Sequence, residues 1–261
     1  MALNRTRIEW VRNPDGSQGF TWNPVTGCLH PCRNTYCYAR KIAERRAGIY
    51  HKPQEIYTLN YLSLSIKTYP YGFHPTFYPQ RLDEPLGRKK PATIFVCSMA
   101  DLFGKWVPTE WIKAVLETAR ACPQHTFIFL TKNPERYQEF DWPANAWLGA
   151  TATDQASWDR ALRAFYVTSD SLLCSGGGKS ARHYFISAEP LLGLIIPEDI
   201  ALLSWLLIGA NSNRGAEKPQ SGWLEELLLD ARAADVPVFV KTNWPHQYRS
   251  WPQDFPEEMN G

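Results

Sequence analysis

Three cysteines, Cys28, Cys32 and Cys37, lie within ten residues near the start of the chain, spaced C-x3-C-x4-C. Thiolates crowded this closely usually hold a soft metal centre, either an iron–sulfur cluster or zinc. A structural zinc ion takes four ligands, whereas a [4Fe–4S] cluster held by three cysteines keeps one iron open for a substrate. The spacing therefore predicts a thiolate-bound metal centre and leaves both metals open.

His30 lies between the first two cysteines and would complete a four-ligand zinc site. A disulfide would use only two of the three thiols. The first residues also lack the apolar core of a secretory signal, which favours a reducing compartment. We therefore expect a cytoplasmic protein with reduced thiols, and we keep the cluster and zinc as alternatives.

The composition sets broad limits on fold and partners. A chain of 261 residues with 44% hydrophobic residues suffices for one large core. A formal net charge of +2 neither requires nor excludes a nucleic-acid partner. Because no run of about 18 apolar residues occurs, we expect no membrane span.

Buried-type strands alternate with helical patterns along most of the chain. The predicted strands are 20–22, 93–97, 126–131, 146–150, 183–188, 204–209 and 236–241, with a shorter one near 76–78. The predicted helices are 38–47, 109–121 with Thr109 as N-cap, 134–140, 154–166 and 221–234. This alternation predicts an α/β fold, a full or partial (β/α) TIM-like barrel of about six to eight parallel strands. We expect one domain over 1–261, with 50–90 as an irregular lid or binding loop and 242–261 as a C-terminal tail.

Polar residues follow nearly every predicted strand. In a parallel barrel the carboxyl ends of all strands lie on one face, where active sites form. The cysteine loop follows the first strand and should reach the same face. The candidate site residues on that face are Ser98, Asp101, Thr131, Lys132, Glu189, Asn211 and Lys241.

The cysteine loop resembles that of the radical S-adenosylmethionine superfamily, whose usual pattern is C-x3-C-x-aromatic-C. Here the first gap matches and Tyr36 precedes Cys37, but the second gap is two residues longer. Longer stretches resemble a phage- and prophage-associated branch of that superfamily. They are 22–28, 98–103, 123–127, 130–136, 147–149 and 187–193. At 209–213, where the branch usually has Gly-Gly-Glu-Ser-Gly, this chain has Gly-Ala-Asn-Ser-Asn.

The resemblance implies a [4Fe–4S] cluster on the three cysteines, with S-adenosylmethionine bound to the open iron. It also implies an electron donor such as a flavodoxin or ferredoxin, and cleavage of S-adenosylmethionine to methionine and a 5′-deoxyadenosyl radical. By position, Ser98 and Asp101 would bind the methionine amino group and Lys132 its carboxylate. Glu189 or Asn211 would bind the ribose, and Tyr36, Thr131 and Lys241 would complete the site. Cys97 is either a small core residue or a hydrogen-atom donor.

The substrate is left open by the sequence. Arg40, Arg45, Arg46, His51, Lys52 and the basic, aromatic segment 241–249 suit phosphate contacts and base stacking. A similarity to DNA photolesion lyases, which are also radical enzymes, favours nucleic-acid repair or modification. A peptide or a small metabolite is the alternative substrate. A zinc-stabilised, non-catalytic nucleic-acid-binding module is the alternative class.

Overall fold

The computed structural model describes residues 3–47, 57–58, 69–173, 183–213, 215–245 and 250–259. Within those ranges the strands are β1 (Asn4–Arg5), β2 (Phe20–Trp22), β3 (Val25–Thr26), β4 (Tyr57–Thr58), β5 (Thr76–Phe77), β6 (Ala92–Val96), β7 (His125–Thr131), β8 (Ala146–Thr151), β9 (His183–Ala188), β10 (Trp205–Ile208) and β11 (Val238–Val240). The α-helices are α1 (Tyr38–Arg45), α2 (Thr109–Arg120), α3 (Gln155–Leu173) and α4 (Ser221–Ala233). Short 3-10 helices span Pro31–Asn34, Pro79–Arg81, Pro134–Glu139, Ile200–Leu202 and Glu257–Met259.

Eight strands form one sheet in the order β1-β2-β6-β7-β8-β9-β10-β11. All neighbouring pairs run parallel except β1 and β2. The strands β3, β5 and β4 form a separate small sheet. The predicted α/β class with a mostly parallel central sheet is confirmed. A closed barrel is not shown, because no pairing joins β1 to β11 in the described part of the chain.

One face of the sheet packs on the helices and the other curls around Trp10. The Trp10 ring centroid lies 5.0 Å from that of Phe95 in β6 and 6.3 Å from that of Phe185 in β9. Those strands are three places apart, which would separate them by about 14 Å in a flat sheet. The sheet is therefore strongly curved, and Trp10 fills the concave side.

The C-terminal segment covers the outer edge of β11. Val240 N–H donates to the Pro252 carbonyl at 2.9 Å, and Asp254 N–H donates to the Val238 carbonyl at 2.9 Å. Met259 is buried in the same core cluster as Trp10. The predicted tail at 242–261 is therefore packed structure over 250–259, and it protects an edge that would otherwise be open for pairing.

Three local predictions differ from the structure. The helix predicted at 154–166 is α3, which continues to Leu173. Thr109 is the first residue of α2 and not its N-cap, which is Pro108 without a side-chain hydrogen bond. The Thr109 hydroxyl instead accepts from Arg136 at 3.3 Å. The predicted helix at 134–140 is the 3-10 helix Pro134–Glu139.

Of the predicted lid, 50–56 and 59–68 lie outside the described residues. No helix in the described ranges has the length and apolarity needed to cross a membrane.

Candidate metal centre and adjoining cavities

The cysteine loop begins at Gly27, where the backbone makes a turn that only glycine permits. Gly27 has φ +85, and a Cβ there would lie 2.2 Å from the His74 carbonyl oxygen. Its N–H donates to the Met99 carbonyl at 2.8 Å, and Cys28 N–H donates to the Phe73 carbonyl at 3.1 Å. The loop is thus fixed between the end of β6 and the segment 69–75. A side chain at position 27 would displace the first cysteine.

The three thiols line one cavity of about 150 Å³ at the carboxyl edge of the sheet. The sulfur of Cys28 accepts from His30 N–H at 3.5 Å, and that of Cys37 accepts from Arg40 N–H at 3.4 Å. Burial, with the charge of Asp101, raises the pKa of Cys28 to about 12. Burial also raises the pKa of Cys32. Metal ligation at these thiols therefore releases protons.

His30 lines the same small cavity as the thiols, and its ring pairs with a carboxylate. Its Nε2 lies 2.7 Å from Asp101 Oδ2, and its ring packs edge-on against Trp106 with centroids 4.8 Å apart. Among the described residues, no group of three or more His, Cys, Asp or Glu side chains is placed to hold one metal ion. A single zinc ion would need its four ligands within about 2.3 Å of it. Thiolates are ligands of both an iron–sulfur cluster and zinc, so the three thiols that line this cavity could serve as ligands to either.

Asp101 is buried and joins three parts of the site. Its Oδ1 accepts from the Thr131 hydroxyl at 2.6 Å and from Phe103 N–H at 3.0 Å. Its Oδ2 accepts from Lys132 N–H at 2.9 Å, in addition to the contact with His30. Burial acts to raise the pKa of Asp101, but His30 and these hydrogen bonds outweigh it and lower the pKa. Because a carboxylate has about four acceptor positions, protein donors occupy all of them.

A larger cavity of about 600 Å³ adjoins the small one on the concave side of the sheet. Six residues line both cavities: Cys32, Cys37, Tyr38, Ser98, Lys132 and Thr151. Trp10 and Phe95 form part of the larger cavity's apolar wall. The predicted residues Tyr36, Glu189, Asn211 and Lys241 also line it. The strand ends thus bring together the residues that were predicted to lie on the face formed by the carboxyl ends of the strands.

Lys132 is a half-buried cation between the two cavities. Its Nζ lies 5.9 Å from the centroid of the Tyr36 ring. Burial lowers the pKa of Lys132, while Cys32 and Asp101 oppose that shift. Its ammonium makes no hydrogen bond or ion pair with any residue that the structure describes. The ammonium is therefore available to an anionic ligand.

Glu189 and Lys241 pair with each other at the wall of the larger cavity. Lys241 Nζ lies 2.6 Å and 2.7 Å from the two Glu189 carboxylate oxygens. A Cβ at Gly209 would lie 3.0 Å from Glu189 Oε1, so this glycine leaves room for the pair. Asn211 accepts from Asn213 N–H at 3.1 Å and shapes the adjacent turn. The pair offers a ligand a neutral, polar wall.

Ser98 and Cys97 differ in what they contact. The Ser98 hydroxyl donates to Asn23 Oδ1 at 3.2 Å, at the border of both cavities. Cys97 lies in the main core at 3% exposure and lines neither cavity. Burial raises the pKa of Cys97 to about 12. The structure therefore does not bring Cys97 to the thiols of the cysteine loop, and its contacts are those of a core residue.

Residues 5–254 match the family described as "Protein of unknown function (DUF5131)". The chain belongs to this family. No curated protein matches its sequence. Among solved structures, it is similar to a cysteine-to-alanine mutant of spore photoproduct lyase with dinucleoside spore photoproduct. The identity is 9% and the TM-score 0.45 over 91% of this DUF5131 chain, which spans 57% of the length of the lyase.

The N-terminal segment is the part of this DUF5131 site that the sequence did not reveal. Arg5, Arg7 and Ile8 line the larger cavity together with Trp10. The segment is held by Glu9, whose carboxylate accepts from Thr242 N–H at 3.0 Å and from its hydroxyl at 2.9 Å. These partners are far apart in the sequence, so no local pattern could indicate the contact. The two arginines add positive charge to the cavity.

Proposed function

We propose that the protein is a radical S-adenosylmethionine enzyme with a [4Fe–4S] cluster on Cys28, Cys32 and Cys37. The observation that supports this most is the position of the thiols: they surround one small cavity, and two of them also face the larger one. When bound and reduced, such a cluster would supply the electron for cleavage of S-adenosylmethionine to methionine and a 5′-deoxyadenosyl radical. The larger cavity would hold S-adenosylmethionine and the reacting part of the substrate.

In this proposal the protein's own residues bind and orient the cosubstrate. The Lys132 ammonium, which faces both cavities, pairs with the methionine carboxylate. Ser98 lies where the methionine amino group would bind, and Tyr36 forms a wall beside Lys132. The Glu189–Lys241 pair and Asn211 supply polar groups for the ribose hydroxyls. Trp10 and Phe95 exclude water from the concave side.

Asp101 has a different role in this proposal from the one that its position in the sequence suggested. Its acceptor positions are filled by His30, Thr131, Phe103 and the Lys132 backbone. We therefore assign it to positioning the cysteine loop and Lys132. An electron donor such as a flavodoxin or ferredoxin, and a cytoplasmic location, are further parts of the proposal.

The test is an anaerobic absorbance spectrum with iron, sulfide and zinc analysis, followed by addition of S-adenosylmethionine and dithionite. We expect a brown protein with about four irons per chain that forms 5′-deoxyadenosine. A colourless protein with stoichiometric zinc would overturn the proposal and favour the non-catalytic module.

Replacement of Lys132 with methionine should weaken S-adenosylmethionine binding without loss of iron. A charge-assisted hydrogen bond contributes about 1.5–3 kcal/mol, so the Kd should rise roughly tenfold or more. The measurement is equilibrium dialysis of S-adenosylmethionine against the anaerobic protein. Lys113→Met, which removes an exposed lysine from α2, is the charge-matched control. An unchanged Kd in Lys132→Met would contradict the assignment.

A further inference from the structure

A third cavity, of about 800 Å³, lies at the other end of α1 from the cysteines. Its lining includes Asn23, Arg45, Arg46 and Arg81. Glu84 is the one carboxylate among its lining residues. Three guanidinium groups against one carboxylate give this cavity, hereafter the arginine cavity, a strong positive charge. Such a cavity attracts an anion.

The arginines come from two separate parts of the chain. Arg45 and Arg46 belong to the end of α1, where basic side chains also complement the helix dipole. The dipole of α1 does not account for Arg81, which is the last residue of the 3-10 helix Pro79–Arg81. The Arg81 guanidinium stacks 3.7 Å from the centroid of the Tyr78 ring and donates to the Asn23 carbonyl at 2.8 Å. It is therefore held in place at the cavity wall.

The remaining guanidinium donors are available to a ligand. Arg45 uses its Nε to donate to the Lys41 carbonyl at 3.1 Å. Arg46 makes no side-chain hydrogen bond or ion pair with any part of the chain that the structure describes. Guanidinium forks match the geometry of phosphate oxygens, and they bind phosphate through two parallel hydrogen bonds. Phosphate is thus the anion that this set of donors suits.

The arginine cavity adjoins the larger cavity of the proposed active site. Thr21 and Ser98 line both of them. Helix α1 has eight residues, so its cysteine end and its arginine end are about 12 Å apart, the length of a few nucleotides. One extended anionic ligand can therefore occupy both cavities. A base that enters the larger cavity has to leave its stack, which favours a single strand.

We propose that the arginine cavity binds a backbone phosphate of a single nucleic-acid strand whose reacting nucleotide lies in the larger cavity. The part that concerns the reacting nucleotide rests on the proposed function, and it names the substrate class. The phosphate site itself requires no cluster and no chemistry. Its test therefore gives a result whether or not the protein cleaves S-adenosylmethionine.

The test is fluorescence anisotropy with fluorescein-labelled single-stranded (dT)12 over a series of salt concentrations. The variant is Arg45→Gln with Arg46→Gln, and the control is Arg163→Gln with Arg232→Gln, which removes the same charge from exposed positions on α3 and α4. Loss of two phosphate contacts should make the negative slope of log K against log salt shallower by about 1.4. The Kd should rise roughly tenfold or more at moderate salt.

The other outcomes overturn the proposal in distinguishable ways. If the variant and the control match the wild type in both slope and Kd, the arginine cavity does not bind the strand. If thymidine monophosphate or inorganic phosphate binds the wild type as tightly as (dT)12 and the variant loses that binding, the cavity is a site for a small phosphate and not for a strand. Circular dichroism of each variant confirms folding, and Arg46→Gln alone serves if the double variant is unstable.

Discussion

Replacement of any one of Cys28, Cys32 and Cys37 with alanine is expected to abolish 5′-deoxyadenosine formation and to remove most of the bound iron. His30 lines the same cavity, but its Nε2 is paired with Asp101 at 2.7 Å, so only its Nδ1 could take the place of a lost thiolate. Two remaining thiolates cannot hold a cluster that needs three protein ligands and one open iron. Iron and sulfide analysis of anaerobically purified variants measures the first effect, and product formation with dithionite measures the second.

Two other buried cysteines make this experiment specific. Cys122 lies in the main core and lines neither cavity, so Cys122→Ala should keep its iron and its activity. Cys97→Ala tests the hydrogen-atom donor predicted from the sequence. The core position of Cys97 leads us to expect full iron content and retained activity. Iron retained at the wild-type level in the Cys28, Cys32 or Cys37 variants would refute the assigned ligands.

The regular part of the fold was predictable because its signals are local. Runs such as 126–131 and 183–188 are apolar on both faces, as in a buried parallel strand, and the observed strands His125–Thr131 and His183–Ala188 agree. The convergence of polar residues at the strand ends followed from the parallel topology. Lys132, Glu189 and Lys241 indeed line one cavity.

The contacts that shape the site were not predictable, because they join residues distant in the sequence. The N-terminal segment has no periodicity, yet it enters the concave side of the sheet through Trp10 and is held by Glu9 and Thr242. The cover over the edge of β11 was not predictable either. Residues 250–254 cover the edge of β11, and only the folded chain shows that this edge is occupied.

The structure shows partners for charged residues that the sequence could not reveal. From the sequence, Glu189 and Lys241 are separate candidates for ligand contacts, but in the structure each is the other's partner. Asp101 is the clearest case. Its place after a strand suggested a ligand contact, whereas its neighbours in the fold use all of its acceptor positions.

Replacement of Asp101 with alanine is therefore expected to lower the free energy of unfolding by about 3–5 kcal/mol. The change would leave the Thr131 hydroxyl and the Lys132 and Phe103 N–H groups without their acceptor in a buried site. Urea unfolding at neutral pH measures the loss. Asp83→Ala, at an exposed carboxylate, should stay within about 0.5 kcal/mol of the wild type.

The same variant separates a positioning role from a ligand contact. If Asp101 holds the cysteine loop through His30, Asp101→Ala should lose both iron and stability. Asp101→Asn should lose less of both, because asparagine keeps the shape of the side chain and part of its acceptor capacity. If Asp101 instead bound S-adenosylmethionine directly, both variants would keep their iron and their stability. Only the Kd for S-adenosylmethionine would then rise. Because all four acceptor positions are filled by the protein, we expect the first pattern.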